Sequence, residues 1–414
     1  MNNYTYIKAK YIASIYNGNS IPDEEKDSFT NRSIPYISTK SIDAICQTID
    51  YDNGLSVNKE DGFKIAPKKS TLLCIEGGSA GRKIAFTNCD VAFVNKLCCF
   101  HSAKENNKFI FYALQSADFL SQFYLNLNGM IGGVNIGLLK NLFLSRPSLT
   151  IQNRIVEILD DKIGKIDALI ANENKQIEKL KEYKQAVITE AVTKGLNKNV
   201  SMKDSGIEWI GEIPETYKTK KIKYVVDIVR GGSPRPIENY ISNNGEGYNW
   251  IKIGDTEKGN RYINHTKQKI VKDGLSKTRL VHKNDLILTN SMSFGEPYIL
   301  NIDGCIHDGW LAFSNYKDID KTFLYYCLQS NLCMKQFEES VAGGIVQNLN
   351  IDKVKDAEIF IPSVKEQTEI IYYLDGKMRE VNELISIKQR KKEQLDEYKK
   401  SLIYEYVTGK KEVY

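Results

Sequence analysis

The sequence predicts an α+β protein in which two α/β-mixed globular domains alternate with two long helices that pack as an antiparallel intramolecular coiled coil. The main observation is that residues 147–193 recur at residues 362–408, with 18 identities in 47 positions at a constant offset of 215. Apolar residues in both copies follow helical spacing. The residues before each copy also repeat, more weakly. The chain therefore consists of two related halves, which suits a bipartite target such as duplex DNA.

This order of parts predicts five segments. The globular parts have diverged far more than the helices, which suggests that the helices keep one task while the two domains read different things. The predicted segments are a first globular domain at 1–146, a central repeat helix at 147–195, a linker at 196–206, a second globular domain at 207–361 and a C-terminal repeat helix at 362–410.

Each repeat helix carries an apolar seam with three- and four-residue steps, which is typical of a coiled coil. Glu173 and Lys184 leave gaps in the first seam, and Lys388, Lys392 and Lys399 interrupt the second. The predicted seam residues are Ile163, Ile166, Ile170, Ile177, Leu180 and Val187 in the first copy, and Val381, Ile385, Leu395 and Leu402 in the second.

The helix ends carry the expected signals. Pro147 and Pro362 precede the two helices, where a missing N–H costs little. Gly195 and Gly409 stand where the helices could end. A coiled coil that only dimerises the protein is one alternative. The favoured arrangement packs the copies against each other, and about 43 helical residues would span roughly 65 Å, a length that could separate two modules on DNA.

Composition narrows the class of protein. The 414 residues carry a net charge of +5, and no run approaches a membrane span of roughly 18 apolar residues. The repeat segments hold 7 basic and 8 acidic residues in the first copy and 9 of each in the second, so the basic excess lies in the globular domains. Eight cysteines without a C-x-x-C pair predict a reduced, cytoplasmic protein, and four isolated histidines predict no metal site.

Each globular domain is expected to combine short strands with one clear helix. The strands include 70–75, 285–289 and 298–301, and the helices cover 109–123 and 323–337. Polar, Gly-rich loops join these strands, and Arg, Lys, Asn and Gln side chains can read base edges while Ser holds phosphates. Such loops can also be simple turns. The candidate DNA contacts are Ser79, Arg82, Lys83, Asn135, Arg230, Ser233, Arg235, Asn290, Ser291, Ser293 and Gln347.

The sequence contains no complete catalytic motif of the kinds considered. Residues 76–84 resemble a phosphate loop but lack the G-x-x-x-x-G-K-[ST] pattern, and residues 22–26 echo a nuclease's acidic cluster without supporting strands. The N/D-P-P-Y/F tetrad of amino-methyltransferases does not occur. The chain is therefore expected to have no catalytic site.

With these parts in order, the chain resembles the specificity (S) subunit of type I restriction–modification enzymes. The resemblance rests on the segment Glu208-Trp-Ile-Gly-Glu-Ile-Pro214 and on the second repeat, from Ile361-Pro362-Ser363 to Val407-Thr408-Gly409-Lys410. The Gly-Gly…Asn-Ile approach to each helix also fits the family. The first domain departs from the pattern because it begins without its own Trp-x-Gly-x-Ile-Pro segment.

The resemblance implies two target-recognition domains that each read one half of an asymmetric DNA site. It implies helices that set the spacer and dock two methyltransferase (M) subunits, with motor-nuclease (R) subunits joining for cleavage. S-adenosylmethionine, ATP and Mg would bind those partners, and this chain would hold no cofactor. Two alternatives stay open, a two-headed coiled-coil scaffold for protein partners and an orphan or regulatory S-like subunit of another methyltransferase.

Overall fold

A computed structural model describes residues 4–127, 132–257, 259–291, 295–339 and 349–413. The chain forms two compact units. Unit 1 comprises residues 1–174 and 389–414, and unit 2 comprises residues 175–388. The unit boundaries fall in the middle of both long helices, so each unit contains part of each helix. The predicted division into five segments follows the elements instead of these units and stays a prediction.

The strands of unit 1 are β1 Thr5–Lys8, β2 Ser14–Asn17, β3 Ile34–Ile37, β4 Ser56–Val57, β5 Ile65–Ala66, β6 Thr71–Cys74, β7 Ile84–Phe86, β8 Val91–Phe93, β9 Leu97–His101 and β10 Phe143–Arg146. Among the described residues they form two four-stranded sheets and one two-stranded sheet, with strand orders β2-β9-β6-β7, β4-β3-β8-β5 and β1-β10. The short helices of unit 1 are α1 Asn107–Ala113, α2 Ala117–Leu125 and α3 Ile136–Leu139, and the long helix α4 Leu149–Lys194 begins here.

The strands of unit 2 are β11 Met202–Asp204, β12 Glu212–Pro214, β13 Lys218–Lys221, β14 Asp227–Arg230, β15 Tyr248–Ile251, β16 Tyr262–Ile263, β17 Gln268–Ile270, β18 Arg279–Val281, β19 Leu286–Thr289, β20 Pro297–Leu300, β21 Gly304–Ile306, β22 Trp310–Ser314 and β23 Glu358–Ile361. Its sheets are similar to those of unit 1, with strand orders β14-β22-β19-β20-β16, β17-β15-β21-β18 and β13-β23; the first has one more strand than its counterpart, and the hairpin β11-β12 is added. Its helices are α5 Lys321–Gln329, α6 Asn331–Glu339, α7 Ile351–Asp356 and the long α8 Val364–Val407. The predicted α+β class and the predicted strands are confirmed.

The single helix predicted in each globular domain is wrong, because each is two helices that meet at a serine. Ser116 separates α1 from α2, and Ser330 separates α5 from α6. Both serines have extended backbones, with ψ of 148° and 153°. The Ser116 hydroxyl accepts a hydrogen bond from the Phe119 N–H at 3.3 Å, so it caps the second helix. Apolar residues continue on both sides of each serine, so the sequence pattern did not indicate that the helix ends there.

Part of the predicted seam joins the core where α4 and α8 pack in unit 1. Ile163, Ile166 and Ile170 join Leu402 in the core of unit 1, and Val187 joins the core of unit 2. Ile177 and Val381 are buried as well, whereas Leu180, Ile385 and Leu395 are half-buried. The two helices are antiparallel, as predicted.

Cross-helix polar pairs fill the interruptions in this seam. Lys399 Nζ lies 2.7 Å from Asp167 Oδ1, and Lys391 Nζ lies 2.6 Å from Glu173 Oε1, both in unit 1. In unit 2 the Lys184 ammonium donates to Asn382 Oδ1 at 2.9 Å. Since Asn382 is the repeat counterpart of Asp167 and Lys184 that of Lys399, the same pair occurs once in each unit. These pairs specify the register of the helices.

Residues kept in both repeats also attach each globular part to its helix. The carboxamide of Gln152 accepts from Asn106 N–H at 2.9 Å, and that of Gln367 accepts from Asp320 N–H at 2.7 Å. Both glutamines are buried. In the same way, the Tyr112 hydroxyl donates to the Asp160 carboxylate and the Tyr326 hydroxyl to the Asp375 carboxylate, both at 2.5 Å, and the two aspartates occupy matching positions in the repeats.

We expect Leu402→Ala to lower the free energy of unfolding by about 2–5 kcal/mol, because it leaves a cavity in the core of unit 1. Leu169→Ala is the matched control, since Leu169 is exposed on α4 and its loss should change stability by less than about 0.5 kcal/mol. Urea unfolding measures both. Equal effects of the two substitutions would contradict the assigned seam.

Candidate nucleic-acid interface

Four predicted DNA contacts of unit 2 meet at one residue that the sequence did not suggest, Asp308. The Ser233 hydroxyl donates to Asp308 Oδ1 at 2.7 Å, and Arg235 Nη2 donates to Asp308 Oδ2 at 3.4 Å. The backbone carbonyl of Asp308 accepts from Arg230 Nε at 2.8 Å and from Asn290 Nδ2 at 3.1 Å. We call these five residues the Asp308 cluster.

The cluster is held by the ends of three strands. Arg230 is the last residue of β14, Asn290 follows β19, and Asp308 lies in the three-residue turn from β21 to β22. Gly231 allows this approach, because a Cβ there would lie only 2.1 Å from the His307 carbonyl oxygen. The glycine at position 231 therefore allows the loop after β14 to pass close to the turn that contains Asp308.

The cluster combines two cations with one ionised carboxylate. The hydrogen bond from Ser233 holds the pKa of the Asp308 carboxyl below its ordinary value, and the charge of Arg230 acts in the same direction. Burial lowers the pKa of the neighbouring His307, whose Nδ1 accepts from Gly309 N–H at 2.8 Å. Asp308 is thus charged and His307 neutral near pH 7.

Asn290 is buried, and among the described residues none donates a hydrogen bond to its Oδ1. Such an acceptor is costly to leave unpaired. Ser291 follows it and is half-buried. Two further predicted contacts, Ser293 and Gln347, lie outside the described residues.

A cleft of about 810 Å³ opens beside the cluster. Ser233 and Arg235 line it, and so do Trp250, Lys252 and Gln268, which sequence reasoning missed. The Lys252 ammonium donates to Gln268 Oε1 at 2.7 Å. These residues sit on strands β15 and β17 or beside them, without a glycine-rich loop to single them out.

In unit 1 the predicted contacts lie on two adjoining loops. Arg82 is exposed and donates to the Gly78 carbonyl, while the Lys83 ammonium donates to the Thr39 carbonyl at 2.6 Å. Ser79 is half-buried in the same loop. A hydrogen bond of 2.8 Å from Gly77 N–H to the Gly132 carbonyl joins this loop to the one before α3. The N–H groups of Arg82 and Lys83 donate to the Ser79 carbonyl at 3.0 and 3.2 Å, so the three residues share one turn.

Asn135 has a structural role that the sequence reasoning did not give it. Its side chain accepts from Leu138 N–H at 2.9 Å and caps α3. Its repeat counterpart Asn350 caps α7, where its side chain accepts from Asp352 N–H at 3.1 Å. The Asn-Ile pair shared by the two halves therefore marks a helix start, and DNA contact by Asn135 stays a prediction.

Comparisons with known proteins agree with this architecture. The family model of the type I restriction modification DNA specificity domain matches residues 1–179 and 214–397. The type I restriction enzyme MjaVIII specificity subunit of Methanocaldococcus jannaschii is 28% identical over 429 residues, covering 98% of this chain and 90% of that protein. The putative type I restriction enzyme MjaX specificity subunit of the same organism is 29% identical over 284 residues. That match covers 67% of this chain and 61% of the relative.

A chain from a solved structure of a type I R-M system has the same fold, with a TM-score of 0.69, 14% identity and coverage of 98% of this chain and 97% of that chain. The family model matches more than half of this chain, so the chain belongs to the type I restriction–modification DNA specificity family. Its role is that of a DNA sequence-recognition subunit, and the alternative of an inert two-headed scaffold is not favoured.

Proposed function

We propose that this chain reads a bipartite, asymmetric DNA site, with one unit on each half-site, and directs methylation and cleavage by partner subunits. The observation that carries the proposal is a shared scaffold with different polar side chains at equivalent positions. Strands β14 and β2 end at Arg230 and Asn17, and the turns β21–β22 and β8–β9 have Asp308 and Asn95 at their centres. Different side chains on one scaffold suit two different half-sites.

The side chains of the Asp308 cluster are suited to reading bases. Arg can donate two hydrogen bonds to guanine O6 and N7, and Asn can pair with adenine N6 and N7. In unit 1, Arg82 and Lys83 offer cations and Ser79 a hydroxyl beside the loop of Asn135. Ser and Lys also hold phosphates and thereby set register on the duplex. The two units thus supply base-reading and phosphate-holding groups of different kinds.

The long helices would set the distance between half-sites and bind two copies of a methyltransferase subunit. Exposed apolar residues support this, because they are retained in both repeats. Leu169 and Leu384 are 45% and 47% exposed, and Tyr183 and Tyr398 are 50% and 52% exposed. The antiparallel register puts Leu169 at the level of Tyr398 in unit 1, and Leu384 at the level of Tyr183 in unit 2. Each unit therefore carries the same Leu–Tyr pair, as two equivalent docking sites require.

The chemistry would belong to the partners. Methylation of adenine with S-adenosylmethionine is assigned to the M subunits, and ATP- and Mg-dependent cleavage to the R subunits. No group of three or more His, Cys, Asp or Glu side chains that could hold a metal ion occurs among the described residues. Within the same residues, no helix has both the length and the apolar character needed to cross a membrane.

Co-expression of the chain with its cognate methyltransferase should give adenine methylation at one split, asymmetric motif, read by long-read sequencing of the methylated DNA.

Arg230→Ala should cost roughly 1–3 kcal/mol of discrimination and relax one half of the motif only, since it removes a base contact. Equal weakening on every sequence would instead make Arg230 a phosphate contact. Methylation without any sequence restriction would contradict the proposed function.

The docking sites predict a separate effect. Tyr183→Ala with Leu384→Ala should weaken association with the methyltransferase about tenfold or more, because exposed aromatic and apolar anchors carry much of the affinity of an interface. The unfolding free energy should hardly change, since both side chains are half exposed. Tyr372→Ala is the control, because Tyr372 is exposed on α8 but its repeat counterpart is Glu157. Calorimetric titration compares them, and equal weakening by the control would contradict a repeated docking site.

A further inference from the structure

A carboxylate lies at the centre of a surface proposed to bind a polyanion, and this position needs an explanation. Asp308 would repel phosphates, and its charge would weaken binding to every DNA sequence alike. Its side chain, however, accepts from two predicted DNA contacts, Ser233 and Arg235, while its backbone holds Arg230 and Asn290. Asp308 thus contacts each of the other four residues of the cluster.

The bond to Arg230 uses only part of its guanidinium. Nε donates to the Asp308 carbonyl, and no hydrogen bond engages either Nη group within the part of the chain that the structure describes. A guanidinium held at Nε keeps its plane fixed and leaves both Nη groups for a partner. Two parallel N–H donors in a fixed plane match the O6 and N7 acceptors on the major-groove edge of guanine.

The carboxylate of Asp308 restrains Arg235, whereas Arg230 is held by the backbone carbonyl. The Arg235 side chain is largely exposed, and among the described residues its one polar partner is Asp308, whose Oδ2 lies 3.4 Å from Arg235 Nη2. An unrestrained arginine would lose side-chain entropy on binding DNA. Asp308 reduces that loss, because it limits the orientations of Arg235 before DNA arrives. The bond from Ser233 Oγ, at 2.7 Å, holds the carboxylate in turn.

We propose that Asp308 is a positioning residue for specificity. Its carboxylate restrains Arg235 and its backbone carbonyl holds Arg230, so that the two arginines together read a guanine-containing half-site bound by unit 2. The inference rests on the proposed function and deepens it. Unit 1 has Asn95 at the equivalent turn position, without a charge, so the device belongs to one half of the site.

The test uses Asp308→Asn in the complex of the full chain with its methyltransferase. Asparagine keeps an acceptor for Ser233 but removes the charge that restrains Arg235. Methylation of sites that differ from the motif by one base should rise about tenfold or more, in one half of the motif only. This should be the same half that Arg230→Ala relaxes. The wild-type motif should contain a G·C pair in that half. The slope of DNA affinity against salt should not change, because Asp308 contacts no phosphate.

Asp273→Asn is the matched control, because it removes the same charge from an exposed position in unit 2 outside the Asp308 cluster. Ser233→Ala is the second variant, and it should relax the same half because it frees the carboxylate without changing the charge. Two results would overturn the inference, namely a motif that is unchanged in Asp308→Asn, even if all sequences are bound more tightly, or a wild-type half-site without a G·C pair. A wild-type complex that methylates without sequence restriction would instead overturn the proposed function itself.

Discussion

The packing of α4 against α8 is the constraint on which the rest of the molecule depends. Apolar residues alone would let two such helices slide by a heptad, because every seam position looks similar. The pairs Asp167–Lys399 and Lys184–Asn382, which are repeat counterparts of each other, permit one register only. Glu173 is buried against Lys391, so a shift would leave a buried carboxylate without its cation.

The globular parts inherit this register through a few retained side chains. Gln152 and Gln367 satisfy backbone N–H groups before α1 and α5, and Asp160 and Asp375 accept from a tyrosine on the same helices. Replacing any of these would leave a buried polar group unpaired, at a cost of about 1–3 kcal/mol. Exposed loop residues such as Arg82 do not carry this cost, whereas a buried loop residue such as Asn290 does. Substitution is therefore costly in the helices and contacts that both halves share and less costly in exposed loops. The loops of the two halves can differ for this reason.

Much of this frame was predictable from the sequence, because repetition and helical spacing report packing directly. The helical packing and the glycine after α4 followed from residues such as Ile166 and Gly195, and the family followed from the segment 208–214 and the second repeat. The helix breaks at Ser116 and Ser330 did not, because a serine within an aromatic run signals a cap only when its backbone turns. Each long helix is also shared between the two compact units. A division of the sequence into consecutive segments could not predict this.

The candidate site was predictable only in part, for geometric reasons. The glycine-rich loops pointed to Arg230, Ser233, Arg235 and Asn290, and the fold brings all four together. Asp308 was missed because one aspartate in a short turn carries no pattern, and its importance comes from three strand ends that meet there. Asn135 shows the opposite case, since its sequence context fitted base reading while its side chain caps a helix.

The central claim is that each unit reads its own half of one DNA site. The most direct measurement replaces residues 1–146 with the corresponding region of another family member and maps adenine methylation by the complex. The account predicts a motif in which one half and the spacer are unchanged and the other half is new. A change in both halves, or a motif that does not respond to the exchange, would contradict it.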